Sequence, residues 1–186
     1  MITEDQHFNK IDFTTELLSG EFQCCTFTDC HFEGLVFSQV TFMECEFMNC
    51  NLSNVKINVA SFKDSVFNHC KLIGVNFNDC SPFMLQFTFN DCDLTLASFY
   101  QLGIKNTNFN RCKLHEVDFT ECELTGSIFN ECDLTRAIFG QSNLEKADFS
   151  TAVNFSIDPN NNRVKKAKFS SDNVHGLLTH LDIHIK

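Results

Sequence analysis

Eleven cysteines, seven histidines and twenty-four carboxylates are the side chains in this 186-residue chain best suited to chemistry. Cysteine beside histidine points first to zinc or thiol redox work. That work needs four converging ligands or a CxxC pair. Cys24-Cys25 lacks the spacing. Cys25, Cys30, Cys45, Cys50, Cys70, Cys80, Cys92, Cys112, Cys122 and Cys132 instead fall on a frame of five that shifts once. His180 and His184 are four apart, but an expected helix-to-strand junction lies between them. His175 is near in sequence, and His7, His31, His69 and His115 are scattered. No glycine-rich phosphate loop, Ser-His-Asp order or nucleophile elbow occurs. No enzyme, metal or cofactor is expected.

The carboxylates point to a partner. Twenty-four acids against fourteen bases give a formal net charge of −10. Direct nucleic-acid binding needs clustered Lys and Arg against phosphate and is disfavoured. An acidic surface attracts basic ones. Between Glu116 and Asp133 lie Glu116, Asp118, Glu121, Glu123, Glu131 and Asp133, with no Lys or Arg among them. They are the candidate contact residues, a patch interrupted at one corner by Arg111 and Lys113. A plain solvated face is the alternative.

These residues are positioned by a repeat. From Phe22 an apolar residue returns every fifth place: Phe22, Phe27, Phe32, Phe37, Phe42, Phe47, Leu52, Ile57, Phe62, Phe67, Leu72 and Phe77. After a break it runs from Phe89 and Leu94 to Phe149. Two places before each stands a second, usually smaller residue. A period of five fits neither the helical 3.6 nor a plain strand. Two inward positions two apart do fit a short extended run. The chain then bends and repeats, which is a solenoid. In the second half Phe alternates with Leu or Ile. Only an even number of sides stacks like on like; four sides place Phe89, Phe109, Phe129 and Phe149 in one column, and Cys92, Cys112 and Cys132 in another. In that frame the cysteines pack inward as small hydrophobes.

Units such as Cys112-Lys113-Leu114-His115-Glu116 and Cys132-Asp133-Leu134-Thr135-Arg136 resemble the pentapeptide repeat. The resemblance implies an all-β fold, a right-handed quadrilateral parallel β-helix with a short C-terminal helix-strand tail. Two regular blocks meeting at a Pro-containing interruption are similar to the Qnr, MfpA and McbG-like branch. That branch implies a DNA mimic that binds a type II topoisomerase and protects it from quinolones or peptide poisons. It also implies a twofold dimer through the tail. About eight coils at about 4.8 Å each, doubled, give a rod of roughly 75–80 Å. Where Qnr proteins carry long loops, this chain has only the Pro82–Phe89 bulge. A passive interaction scaffold is the second expectation.

Residues 1–21 are expected to form an N-terminal cap and partial first coil, 22–150 the β-helix, and 151–186 a capping and dimerising segment. The register break spans 79–90, with Pro82 at a bulge because it cannot donate to a ladder. Phe83, Met84 and Leu85 are expected to protrude, either as a knob for a partner or folded over a neighbouring face. In the tail, a helix over 171–181 and a strand over 182–186 present Val174, Leu177, Leu178, Leu181, Ile183 and Ile185 as dimer contacts. No run of 18 apolar residues and no signal peptide are seen, and reduced cysteines suit the cytoplasm.

Overall fold

In a computed structural model, which describes residues 1–15, 18–37, 39–181 and 183–184, the chain winds into a parallel solenoid. Phe22 pairs with Phe42, Phe27 with Phe47 and Phe109 with Phe129, so one coil is twenty residues and has four five-residue faces. Faces one to four are named here by Phe22, Phe27, Phe32 and Phe37. Face one begins as a four-stranded sheet of Ile2–Glu4, Gly20–Gln23, Val40–Met43 and Ser61–Lys63. Face two is a seven-stranded sheet running from His7–Asn9 through Thr26–Thr28, Glu46–Met48, Ser65–Asn68, Phe87–Asn90 and Asn108–Asn110 to Ile128–Asn130. Faces three and four are joined by single parallel bridges such as Lys71 to Asp93 and Ser98 to Asp118.

The core follows from the alternation within each pentad. Inward positions are buried and their neighbours face water. Face two stacks nine rings: Phe8, Phe27, Phe47, Phe67, Phe89, Phe109, Phe129, Phe149 and Phe169. Successive centroids are 4.6–5.5 Å apart, with ring planes within 15° of parallel. Between faces the rings meet edge to face, as Phe27 meets Phe32 at 5.8 Å and 69°. Both are favourable aromatic geometries.

Corners need a sharp turn. The chain makes it two residues after many of the large inward side chains, in the left-handed backbone region. Twenty-five non-glycine residues among those described have φ between 49° and 62°. Asn and Asp tolerate this region best, yet Val59, Leu96 and Arg111 occupy it too.

The frame departs from twenty twice. The first coil begins at Ile2, with Thr3 opposite Phe22 and Phe8 opposite Phe27, a nineteen-residue step. At the break Phe67 pairs with Phe89, a twenty-two-residue step. The extra residues leave face one as the Pro82–Gln86 detour. Phe87 then fills the vacated core volume, fully buried and 5.2 Å from the Phe77 ring. A full ring thus sits where a small residue usually stands.

The tail differs from expectation in form. Instead of one α-helix over 171–181, it makes two 3-10 turns, Val174–Leu177 and Thr179–Leu181. Gly176 explains the tightness: a Cβ there would lie 2.5 Å from the Phe155 ring. The strand expected over 182–186 falls largely outside the described residues.

Candidate partner-binding surface

The coil register decides which charged side chains meet, because residues twenty apart stand one above another. Glu116, Asp118, Glu121 and Glu123 lie along one coil. They run from the corner before face four, across that face, round the next corner and onto face one. Glu131 and Asp133 lie one coil on, at and beyond the corner before face three.

Most of these carboxylates meet a partner on an adjacent coil. Arg136 donates to Glu116. Asn143 Nδ2 donates to Glu123 at 3.0 Å, and Lys105 Nζ stands 3.7 Å from the same carboxylate. His115 lies 2.8 Å from Asp133, which also accepts from Asn154 at 2.9 Å and Thr135 at 2.6 Å. Partial burial opposes ionisation of Asp133, but these hydrogen bonds outweigh it and hold the carboxyl below the usual carboxylate range. Arg111 grips Asp91 through two bonds of 2.7 and 2.6 Å and feels Glu131 on its other side. Among the described residues, Asp118 accepts the Thr120 backbone N–H, and Glu121 accepts Gln101 Nε2 at 2.8 Å. These two have no cationic partner among the described residues.

A second set of carboxylates, not singled out by sequence, follows the corner between faces one and two. Asp5, Glu44 and Asp64 occupy it with Cys24 on successive coils, and no ion pair reaches them among the described residues. Desolvation first, then the charges of Glu44 and Asp5, push the Cys24 thiol up. Counting in twenties from Glu44 reaches Cys24 and Asp64, whereas Asp5 joins the column only through the nineteen-residue first step.

At the break, Phe83 and Met84 protrude, 68% and 64% exposed, while Leu85 is half-buried and packs on the core. Lys63 Nζ stands 5.8 Å from the Phe83 ring. In the tail, Val174, Leu181 and Ile183 are exposed, and Leu177 and Leu178 are half-buried. Ile185 lies outside the described residues.

Sequence reasoning missed two asparagines that close the C-terminal end. Asn162, buried, donates to the Phe139 carbonyl at 2.9 Å and accepts from the Ser142 N–H. Asn173, also buried, donates to the carbonyls of Phe149 at 2.7 Å and Ala152 at 2.9 Å.

All eleven cysteines are free thiols, ten buried and Cys24 exposed. Burial pushes Cys45 and Cys80 up to about 12. Among the described residues no three His, Cys, Asp or Glu side chains converge as metal ligands. No helix among them is long and apolar enough to cross a membrane.

Two solved structures of QnrB1, a plasmid-mediated fluoroquinolone resistance protein, are similar in fold. One trypsin-treated variant covers 100% of this chain and 92% of its own, with TM-score 0.74 and 15% identity. A second covers 100% and 98%, with TM-score 0.65 and 15% identity. No curated protein sequence matches. The family model for the pentapeptide repeat region matches residues 20–87 and 81–149, most of the solenoid described above. With a five-residue register carried through successive four-sided coils and matched over residues 20–149, this chain belongs to the pentapeptide repeat proteins.

Proposed function

We propose that this protein is a DNA mimic that binds a type II topoisomerase, gyrase or topoisomerase IV, and protects it from quinolones or peptide poisons. The observation that carries the reading is full-length superposition on QnrB1, whose stated role is fluoroquinolone resistance. A net charge of −10 on a parallel solenoid supports it, because a surface that reads phosphates with cations accepts an anionic rod. In this reading two chains join through Val174, Leu177, Leu178, Leu181, Ile183 and Ile185. Glu116, Asp118, Glu121, Glu123, Glu131, Asp133, Phe83, Met84 and Leu85 face the enzyme. The protein acts in the cytoplasm, without catalysis, cofactor or direct nucleic-acid contact.

Purified gyrase inhibited by ciprofloxacin regains supercoiling when the protein is added. No rescue and no inhibition at micromolar dimer removes the topoisomerase assignment. One observation favours a passive scaffold for another basic partner: within the Glu116–Asp133 patch, Glu116 and Glu123 are already countered by Arg136 and Lys105 of adjacent coils, and Asp133 is bonded by His115. That reading expects an unchanged gyrase assay. Sedimentation of the full chain tests the dimer separately, and a monomer at micromolar concentration rejects it.

A further inference from the structure

Face three carries six cysteines at the small inward position of six successive coils: Cys30, Cys50, Cys70, Cys92, Cys112 and Cys132. All are at most 2% exposed. Each thiol makes the same contact. Its S–H points to the carbonyl of the residue before it by one coil and three places: Cys50 to Phe27 at 3.3 Å, Cys70 to Phe47 at 3.4 Å and Cys132 to Phe109 at 3.3 Å. Across the break the step is two longer, and Cys92 still reaches the Phe67 carbonyl at 3.4 Å. Repeated contacts mean repeated positions, so neighbouring sulphurs are separated by about one strand spacing, roughly 4.8 Å.

The midpoint between two such sulphurs is then about 2.4 Å from each, close to the ~2.3 Å of a metal–thiolate bond. Two sulphurs in line with a cation between them suit a soft d10 monovalent ion, whereas zinc requires four ligands. We propose that this column binds Cu(I) or Ag(I) between paired neighbours, Cys30 with Cys50, Cys70 with Cys92, and Cys112 with Cys132. Binding replaces one thiol proton per pair: the cation bonds to one thiolate and to the sulphur of the neighbouring thiol, and one proton leaves to solvent. The pair stays uncharged, as a buried site requires, and no electron is transferred. The column is closed to solvent, every one of its cysteines being at most 2% exposed, so loading takes place as coils form or open. The proposal is independent of the topoisomerase reading.

The test uses the full chain carrying Cys24→Ser and Cys45→Ser, which removes the exposed thiol and breaks the one other stacked pair, Cys25 with Cys45 on face two, whose thiols make the same contacts to Thr3 and Phe22. The protein is refolded from urea with a phosphine reductant and excess Ag(I) or Cu(I), then desalted and assayed for metal. Three equivalents per chain are expected, with Cys112→Ser lowering the count to two and Cys70→Ser with Cys112→Ser to one. Ser65, Ser127 and Ser142 already occupy inward positions of this solenoid, so the serine variants keep the fold, checked by circular dichroism. Less than one equivalent after refolding, or a count unchanged across the series, overturns the proposal.

Discussion

The coils before Ser81 and those after it share one backbone and fill it differently. Before the break, six consecutive large inward positions are Phe, from Phe22 to Phe47; after it, Phe and Leu or Ile alternate from Phe89 to Phe149. The surfaces diverge as well. The first eighty residues hold eleven acids and four bases, and the remaining chain thirteen and ten. Cross-coil ion pairs of Arg and Lys cluster after the break: Arg111 with Asp91, Lys113 with Asp93, Arg136 with Glu116, Arg163 with Glu145 and Lys168 with Asp148. Before it, the described pairs involve only histidine: His31 with Glu33, and His69 with Asp91 across the boundary. One scaffold therefore carries an aromatic half with largely uncompensated anions and an aliphatic-aromatic half laced by charge pairs.

The largest expected effects test the core side of this contrast. Phe47, wholly buried between Phe27 and Phe67 at 4.9 Å each, loses about 4 kcal/mol on replacement by Ala, from ring removal plus cavity. Leu114→Ala, at an equally buried site of the second half, is expected to cost about 3 kcal/mol. Urea unfolding ranks the two, and a reversed order breaks the distinction between the cores. Next comes Asn173→Ala, which takes the side-chain donor from the Ala152 carbonyl, while the Phe149 carbonyl keeps the Ala152 N–H, and costs about 1–3 kcal/mol. Hydrogen exchange should accelerate from Phe149 to Ile157 and leave the coils before the break protected. Uniform loosening would mean that the halves do not respond separately.

A smaller effect is expected from acid. Asp91, Asp93, Asp133 and Asp148 of the second half are held below the ordinary carboxylate range, each with hydrogen bonds to the charged form. Depressed folded values stabilise the protein above the unfolded value near 3.9. That stability is lost as pH falls through the folded values. Acidification below about pH 4 should therefore loosen the second half. Asp133→Asn should flatten the pH dependence by no more than about 1 kcal/mol, given its partial exposure. Among the described first-half carboxylates only Asp12 shows a resolved depression, so the loss there is weaker. An equal pH slope in urea unfolding for Asp133→Asn and the parent contradicts the assignment.

Salt gives the smallest effect and sharpens the surface contrast. Arg111→Ala should lower the thermal midpoint by about 1 °C at low ionic strength, and Glu44→Gln should raise it by a similar amount. Both differences should vanish near 0.5 M NaCl, where screening shortens the reach of charge below 10 Å. Midpoints moving in the same direction would show that the two halves do not differ in compensation.

Much of this arrangement is legible in the order of residues alone. The fivefold return of Phe and Leu fixes which side chains point inward, because a strand's alternation has only two faces. The Phe–Leu alternation requires an even number of sides, and four of them stack Cys92, Cys112 and Cys132 as well. The break is visible as twelve residues from Phe77 to Phe89, but not its interior: Leu85 packs back while Phe87 takes the core place, a packing outcome with no local signal. Phe8 is out of frame by one residue, yet a nineteen-residue step lets it stack on Phe27. The charged patch is legible as composition only. Whether Glu116 faces water or Arg136 depends on register, and counting in twenties supplies it. Asn162 and Asn173 carry no signal, since an asparagine that ends a tube looks like any turn residue. The tail's apolar spacing suggests an α-helix, and Gly176 lodged against Phe155 makes 3-10 turns instead.

The left-handed corners set a minimum size. Each non-glycine residue in that region costs on the order of 1 kcal/mol relative to ordinary backbone, and a lone coil has no neighbour whose hydrogen bonds and rings offset that cost. Stability therefore grows only as coils accumulate, so a fragment of one or two turns should remain a random chain. A seed of several turns is therefore expected before further coils add stability one by one.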